Sequence, residues 1–420
     1  MNKYVLAFSG QGSQYAGMGE EFFYQNSKVK NLFKTASEIV NHDLIDECYS
    51  SSIEEFNNSH YSQTLIVVLE ISIFISYFEL LKNPPEYLSG HSLGEFSALV
   101  CSGALDFEEV IDFVHKREQL MYDNLLGYGS MLAIMGISKD CVEKICETFE
   151  KDAISISNYN SDFQFVVSGK TDIINNAKII FEHNGANTLP INTNYPLHTK
   201  LMKKIQNQYD SLLSQLHKKD FNIPVISSFD GSLYNDKNLF RILSKQLVNP
   251  VRWDSVIDCI HKKNIYNFIE IGPQGTLRNL LLLNQLGINA YSINNRTDID
   301  EIKNLLYFKH NELSNDNSLK IDFLQKCIIE IISTCNNNLD EAYYKKYVVC
   351  LYEKLNSMLD LIIKNKWEVS PEIMMYFFEH LLKVLDYKKI NYYNKKDIIN
   401  NIIFSSGYIE LFKNYVEGVV

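Results

Sequence analysis

A serine between two glycines, Gly90-His91-Ser92-Leu93-Gly94, directly follows a short apolar run in "YLSGHSLGEF", residues 87–96. This is the spacing of a G-x-S-x-G elbow, where a strand turns sharply into a helix and holds a serine hydroxyl clear of the backbone. The glycines are needed because side chains would crowd so tight a turn. The pattern alone also fits a plain turn, and serine is a poor nucleophile until a base takes its proton. Ten histidines compete for that role. His91 adjoins the serine, but on a sharp turn a neighbouring side chain points away. His198, in "NYPLHTKLM", stands where a loop enters a helix after a predicted strand, and it leads several candidates.

Arg117 is an independent signal. In "DFEEVIDFVHKREQLM", Val110, Phe113, Val114 and Met121 mark the inward face of a helix, and Arg117 falls on the same stripe. An arginine there needs an anion. Two readings stand: a structural pair with an Asp or Glu of the core, or a bidentate clamp on a substrate carboxylate. The glycine-rich loop "FSGQGSQYAGMG", residues 8–19, fits neither phosphate-binding pattern. At the end of a core strand it can instead lend a backbone N–H to an oxyanion hole, with the amides of Gln11 and Leu93 as the donors.

These residues need a scaffold, and the chain is long enough to supply one. Its 420 residues allow more than one folding unit. Hydrophobic residues make up 46%, charged residues 22%, and the net charge is -11. That balance describes a globular protein with no basic face for nucleic acid. The apolar run after Met1 is too short for a signal peptide, and Glu70 and Glu79 interrupt the longest apolar stretch, so no membrane segment is expected. Eight scattered cysteines without a CxxC pair, and no histidines at zinc spacing, point to reduced thiols in a cytoplasm and to no metal site.

Up to about residue 300, short β-like runs alternate with helical periods, the pattern of an α/β fold. Strands are expected at Tyr4–Phe8, Glu86–Ser89, Val225–Ser228, Tyr266–Ile271 and Ala290–Ile293, with helices at Gln63–Leu81 and Asp106–Met121 among others. The stretch 128–196 reads strand, helix, strand, strand, helix, strand, closing on Thr188–Asn192, the order of a ferredoxin-like unit. It is expected as a small subdomain inserted into a larger one made of residues 1–127 and 197–304. From 305 to 420 the composition shifts to Asn, Lys, Ile and Tyr, and apolar positions recur at helical spacing. A helical extension is expected there. It is read either as a docking module or as the plain result of an AT-rich genome.

Taken together, "FSGQGSQYAGMG", "GHSLGEFSALVCSGAL", "HKREQLM", "SNYNSDFQFVVSG", "LHTKLM", "QLVNPVRW" and "IEIGPQGTLRNL" occur in one order over residues 3–295. In this the sequence resembles the malonyl-CoA:acyl carrier protein transacylases and the acyltransferase domains of polyketide synthases. The resemblance implies an α/β-hydrolase-like large subdomain with Ser92 as nucleophile and His198 as general base and acid. It implies that a backbone carbonyl, matching that of Gln246, holds the histidine in place of a triad aspartate. Arg117 matches the residue that pairs with the free malonyl carboxylate, Gln11 and Leu93 the oxyanion amides, and Gln63 and Asn160 polar residues lining the site. The implied reaction is ping-pong transfer of malonyl from malonyl-CoA to the phosphopantetheine thiol of an acyl carrier protein, with no cofactor. It would serve a polyketide synthase in trans, or fatty-acid synthesis.

The match has two departures. Tyr195-Pro196-Leu197-His198 fits neither the malonyl-selecting nor the methylmalonyl-selecting form of the polyketide domains, which leaves the extender unit open. Residues 305–420 have no counterpart in the usual free-standing enzyme. The competing activity is hydrolysis of stalled acyl groups on carrier proteins, against which Arg117 argues. A non-catalytic scaffold is disfavoured by Ser92, His198 and Arg117 occurring together.

Overall fold

The computed structural model describes residues 3–15, 18, 27–50, 59–78, 84–191, 193–283, 287–295, 298, 301–302, 317–334, 336–338, 340–390, 395, 398–399, 402 and 411–412. Residues 79–81 of one expected helix, Asn192 of one expected strand, Cys335 and the expected boundary at 304/305 lie outside the described residues. The chain divides into two compact units, residues 2–302 and residues 303–420. The first is an α/β fold, as the alternation of periods predicts.

Ten strands are described in that unit: β1 Tyr4–Phe8, β2 Tyr87–Gly90, β3 Ser130–Met135, β4 Ile154–Ser161, β5 Gln164–Gly169, β6 Asn187–Ile191, β7 Val225–Ile226, β8 Val251–Arg252, β9 Asn267–Ile271 and β10 Asn289–Ser292. One sheet runs β10-β9-β1-β2-β7 with every neighbouring pair parallel. Strand β1, YVLAF, is buried throughout, as expected of a parallel strand covered on both faces. The helix Ser62–Phe78 is apolar nearly all round and its described side chains up to Phe74 are buried, which suits a core helix.

Phe8 pairs with Gly90, so the loop after β1 and the elbow after β2 leave the same end of the sheet side by side. The elbow leads straight into the helix Gly94–Cys101. Its glycines are there for want of room: a Cβ on Gly94 would lie 2.3 Å from the Phe8 carbonyl oxygen, and one on Gly90 2.1 Å from the Gly94 carbonyl. The obstacles are backbone, which cannot rotate away. Gly94→Ala is therefore expected to cost at least the ~1–3 kcal/mol of an overpacked core, measured as a lower denaturation midpoint in urea.

The second sheet runs β6-β3-β5-β4-β8. Pairs β6/β3, β3/β5 and β5/β4 are antiparallel. Helices Lys139–Glu147 and Thr171–His183 pack with it around Leu132, Ile134, Ile156, Phe165, Val167 and Phe181. Strand β8 is not foreseen by the sequence reading. Its two residues pair in parallel with Asn158 and Tyr159, so chain from beyond residue 197 completes this sheet.

In the second unit the helices Asn317–Ser333, Cys350–Asn365 and Pro371–Tyr387 enclose a core that includes Phe323, Leu355, Leu359, Phe377, Phe378 and Leu381. The last helix starts as its sequence dictates, with the Ser370 hydroxyl accepting from the Ile373 N–H and Pro371 at the first turn. Lys388 is buried, and its ammonium donates to the Ile331 and Thr334 carbonyls at 2.7 and 2.5 Å, closing the end of Asn317–Ser333. Among the described residues no helix is long and apolar enough to cross a membrane.

Candidate active site

Ser92 adopts φ +54°, the left-handed backbone that an elbow requires. His91 N–H donates to the Phe8 carbonyl and Gly94 N–H to the His91 carbonyl, which fixes the turn on the end of β1. The serine Oγ lies 2.6 Å from His198 Nε2. His198 itself has φ +58° and is 4% exposed. Its other ring nitrogen, Nδ1, lies 2.9 Å from the Gln246 carbonyl oxygen. A carbonyl only accepts, so Nδ1 carries the hydrogen and Nε2 presents its lone pair to the serine.

That carbonyl is free for a reason the sequence contains. Gln246 sits in the last turn of the helix Leu239–Val248, where its oxygen would ordinarily accept from the amide four residues on. That residue is Pro250, which has no N–H. Burial pushes the His198 imidazole down to about 4; the bond to Gln246 opposes this, and the charges of Arg117 and His91 add to it. At neutral pH the imidazole is therefore unprotonated and able to accept a proton.

The loop after β1 lies on the elbow: a Cβ on Gly10 would be 2.4 Å from the His91 oxygen and 3.4 Å from the Leu93 nitrogen. Among the described residues neither the Gln11 nor the Leu93 amide has an acceptor. The buried carboxylate of Glu70, on Ser62–Phe78, holds this loop. It accepts from the Gly10 N–H at 2.7 Å and the Ser9 hydroxyl at 3.1 Å, while its second oxygen accepts from the Ser97 hydroxyl at 2.5 Å.

Arg117 lies on the inward face of the helix Phe107–Leu125 and is 3% exposed. Among the described residues it has no carboxylate partner: Nη1 donates to Gln63 Oε1, Tyr209 adds a side-chain hydrogen bond, and Nε has no acceptor. The neighbouring carboxylate, Glu118, is engaged elsewhere. It accepts from the Ser62 hydroxyl at 2.7 Å and the Gln63 N–H at 3.2 Å, an anion at a helix N-terminus. A guanidinium in a dry site that no described carboxylate contacts, Glu118 acting on it only through its charge, is a ready receptor for a carboxylate. The structural-pair reading of Arg117 thus loses its partner.

Asn160, at the end of β4, faces His91 with Oδ1 3.2 Å from Nε2. His91 is thereby turned towards Asn160, while the serine's partner is His198. Tyr195 is half-buried near this region, its hydroxyl pushed up to about 12 by burial, then by Glu118 and Tyr122. Sequence reasoning missed Glu95, Glu118 and Glu70. Glu95 was readable as a carboxylate in the first turn after an elbow, a position facing the core, but its partners were not.

The chain matches the family model described as "Acyl transferase domain" over residues 4–282. It is 34% identical over 299 residues to a malonyl CoA-acyl carrier protein transacylase of Buchnera aphidicola, covering 70% of this chain and 96% of that protein. A malonyl CoA-acyl carrier protein transacylase of Bacillus subtilis is 28% identical over 376 residues, covering 89% of this chain and 93% of its own length, so that alignment runs beyond residue 302 into the second unit. Among solved structures, an acyl carrier protein S-malonyltransferase of Vibrio cholerae has a TM-score of 0.67 at 31% identity, covering 72% of this chain and 100% of that one. The elbow, its histidine and the unpaired arginine stand within the matched residues. The chain belongs to the malonyl CoA-acyl carrier protein transacylase family.

Proposed function

We propose that this protein transfers a malonyl group from malonyl-CoA to the phosphopantetheine thiol of an acyl carrier protein through an ester on Ser92. The observation that carries the reading is the 2.6 Å approach of Ser92 Oγ to His198 Nε2, in a site whose arginine has no carboxylate partner among the described residues. Either feature alone fits many proteins. Their combination selects an acyl group that ends in a second carboxylate.

In the first half-reaction Ser92 Oγ attacks the thioester carbonyl as its proton passes to His198 Nε2. The amides of Gln11 and Leu93 receive the developing oxyanion. The C–S bond then breaks, and coenzyme A leaves with the proton returned by His198. In the second half-reaction the carrier thiol gives its proton to His198 and its sulfur attacks the seryl ester. The C–O bond breaks and Ser92 regains its proton. Gln63 steadies Arg117, Asn160 holds His91 aside, and Arg117 keeps the malonyl carboxylate fixed through both halves. No metal or tightly bound cofactor is needed, because the pantetheine belongs to the substrates.

For the scaffold, the strand order β6-β3-β5-β4 supports reading 128–196 as a ferredoxin-like subdomain, and the parallel sheet with its elbow supports an α/β-hydrolase-like subdomain formed by 1–127 and 197–304. The helical 305–420 is read as a docking module for a synthase or carrier protein. A cytoplasmic site of action suits the thiol chemistry.

Intact-mass measurement after mixing with malonyl-CoA tests the function. Wild-type protein should gain one malonyl group and release it as malonyl-carrier on addition of holo-carrier protein. No adduct on wild type, or an adduct that persists in Ser92→Ala, defeats the reading; release as free malonate identifies a hydrolase instead.

A further inference from the structure

We infer that Glu95, a residue with no contact to the reacting atoms, positions the catalytic pair by gripping the side chain of Gln246. The inference rests on the acyl-transfer reading of Ser92 and His198.

Glu95 opens the helix after the elbow and is completely buried. Among the described residues its carboxylate has no cation beside it, and its partners are all uncharged donors. Oε1 accepts from the Ser228 N–H at 2.8 Å and the Tyr234 hydroxyl at 2.8 Å. Oε2 accepts from the Ser228 hydroxyl at 2.9 Å and from Gln246 Nε2. The Ser227 side chain adds a further bond. Burial pushes the group up to about 7, against the pull of these donors.

Gln246 is the joint. One hydrogen of its amide goes to Glu95 and the other to the backbone oxygen of Ser92 at 3.1 Å, while its own backbone oxygen receives His198 Nδ1. A single residue therefore touches the nucleophile's peptide and the base's ring. Two acceptors, the Glu95 carboxylate and the Ser92 oxygen, make Nε2 and not Oε1 face the elbow, and Glu95 is the one supplied by a side chain. In serine hydrolases a buried aspartate orients the imidazole directly. Here the carboxylate stands one residue further back and acts through a glutamine. The described side-chain hydrogen bonds of Glu95 go to Ser227, Ser228, Tyr234 and Gln246 and none to the Ser92 or His198 side chain, so its action runs through Gln246.

In Glu95→Gln the Ser228 N–H holds the remaining carbonyl at the Oε1 place, so the new NH2 group takes the Oε2 place, where it cannot face the NH2 of Gln246. The Gln246 amide must turn over, and its bond to Ser92 is lost. Single-turnover acylation by malonyl-CoA is expected to fall by about 10²-fold at saturation, as for a small misplacement of reacting groups. The half-saturating malonyl-CoA concentration should hold within about threefold, since Arg117 is untouched. Gln246→Ala keeps the backbone carbonyl but removes the grip, so it should lose as much. The double variant should be no slower than the worse single one, as for two parts of one device. Tyr234→Phe removes one donor from Glu95 without disturbing Gln246, and should stay within about threefold of wild type on the same reasoning.

Multiplying losses in the double variant, a wild-type rate in Glu95→Gln or Gln246→Ala, or a Tyr234→Phe loss equal to that of Glu95→Gln would overturn the inference. If Glu95→Gln does not fold, Gln246→Ala and Tyr234→Phe decide by the same criteria. A wild-type protein that takes up no malonyl group would instead defeat the acyl-transfer reading itself.

Discussion

Replacing Arg117 with alanine should lower malonyl transfer by about 10²- to 10³-fold and leave acetyl transfer from acetyl-CoA near its wild-type rate. The magnitude follows from the ~2–5 kcal/mol lost when one partner of a desolvated, hydrogen-bonded charge pair is removed. The asymmetry follows from chemistry: an acetyl group has no second carboxylate, so nothing on it meets the guanidinium. Among the described residues Nε of Arg117 is buried without an acceptor, and in the proposed reaction a malonyl carboxylate supplies one. Lysine at 117 should rescue little, because it offers a point charge and not a planar fork. Parallel assays with the two thioesters check the result. Equal losses with both would mean that Arg117 supports the site and clamps nothing.

His198→Ala should slow acylation of Ser92 by roughly 10²- to 10⁴-fold, the usual contribution of a positioned general base. The wild-type pH profile should be as informative. Folding lowers the imidazole to about 4, so the neutral base persists well below the ordinary histidine range, and acylation should fall only as pH drops through that value. Stability moves with the same sign. Between the unfolded value near 6.5 and about 4 the unfolded chain binds a proton that the folded one refuses, so this group withdraws stability as the medium is acidified across that window. Because Arg117 contributes to the depression, Arg117→Ala should move the acidic limb upward. Single-turnover acylation followed across pH reads both effects, and a limb at the ordinary histidine value would contradict the burial argument.

Much of this site is local and hence legible in the sequence. The elbow is a five-residue pattern and its strand and helix adjoin it, whereas the Gln246 carbonyl that holds His198 comes only from the family resemblance. Arg117 shows itself by a charge on an apolar stripe. What the sequence does not reveal is long-range. Glu95 meets Ser228 and Gln246 across separations of 133 and 151 residues, and nothing in its neighbours names those partners. Strand β8 is two residues long, too short for any period to register, yet it joins the second sheet to later chain. Arg117 could be seen to need an anion, but only the geometry shows Glu118 turned away towards Ser62 and Gln63.

The left-handed backbone shared by Ser92 and His198 sets stability against reactivity. A non-glycine residue in that conformation raises the energy of the folded state by roughly 1–2 kcal/mol, and glycine would remove most of that strain at either position. The chain would then fold more comfortably and do nothing. Strain at two residues is a sizeable fraction of the ~5–15 kcal/mol that separates folded from unfolded protein. The frame around them, glycines pressed on backbone and buried glutamates gripping loops, is what keeps two uncomfortable residues 2.6 Å apart. Reactivity here is a local debt of conformation, held in place by the rest of the fold.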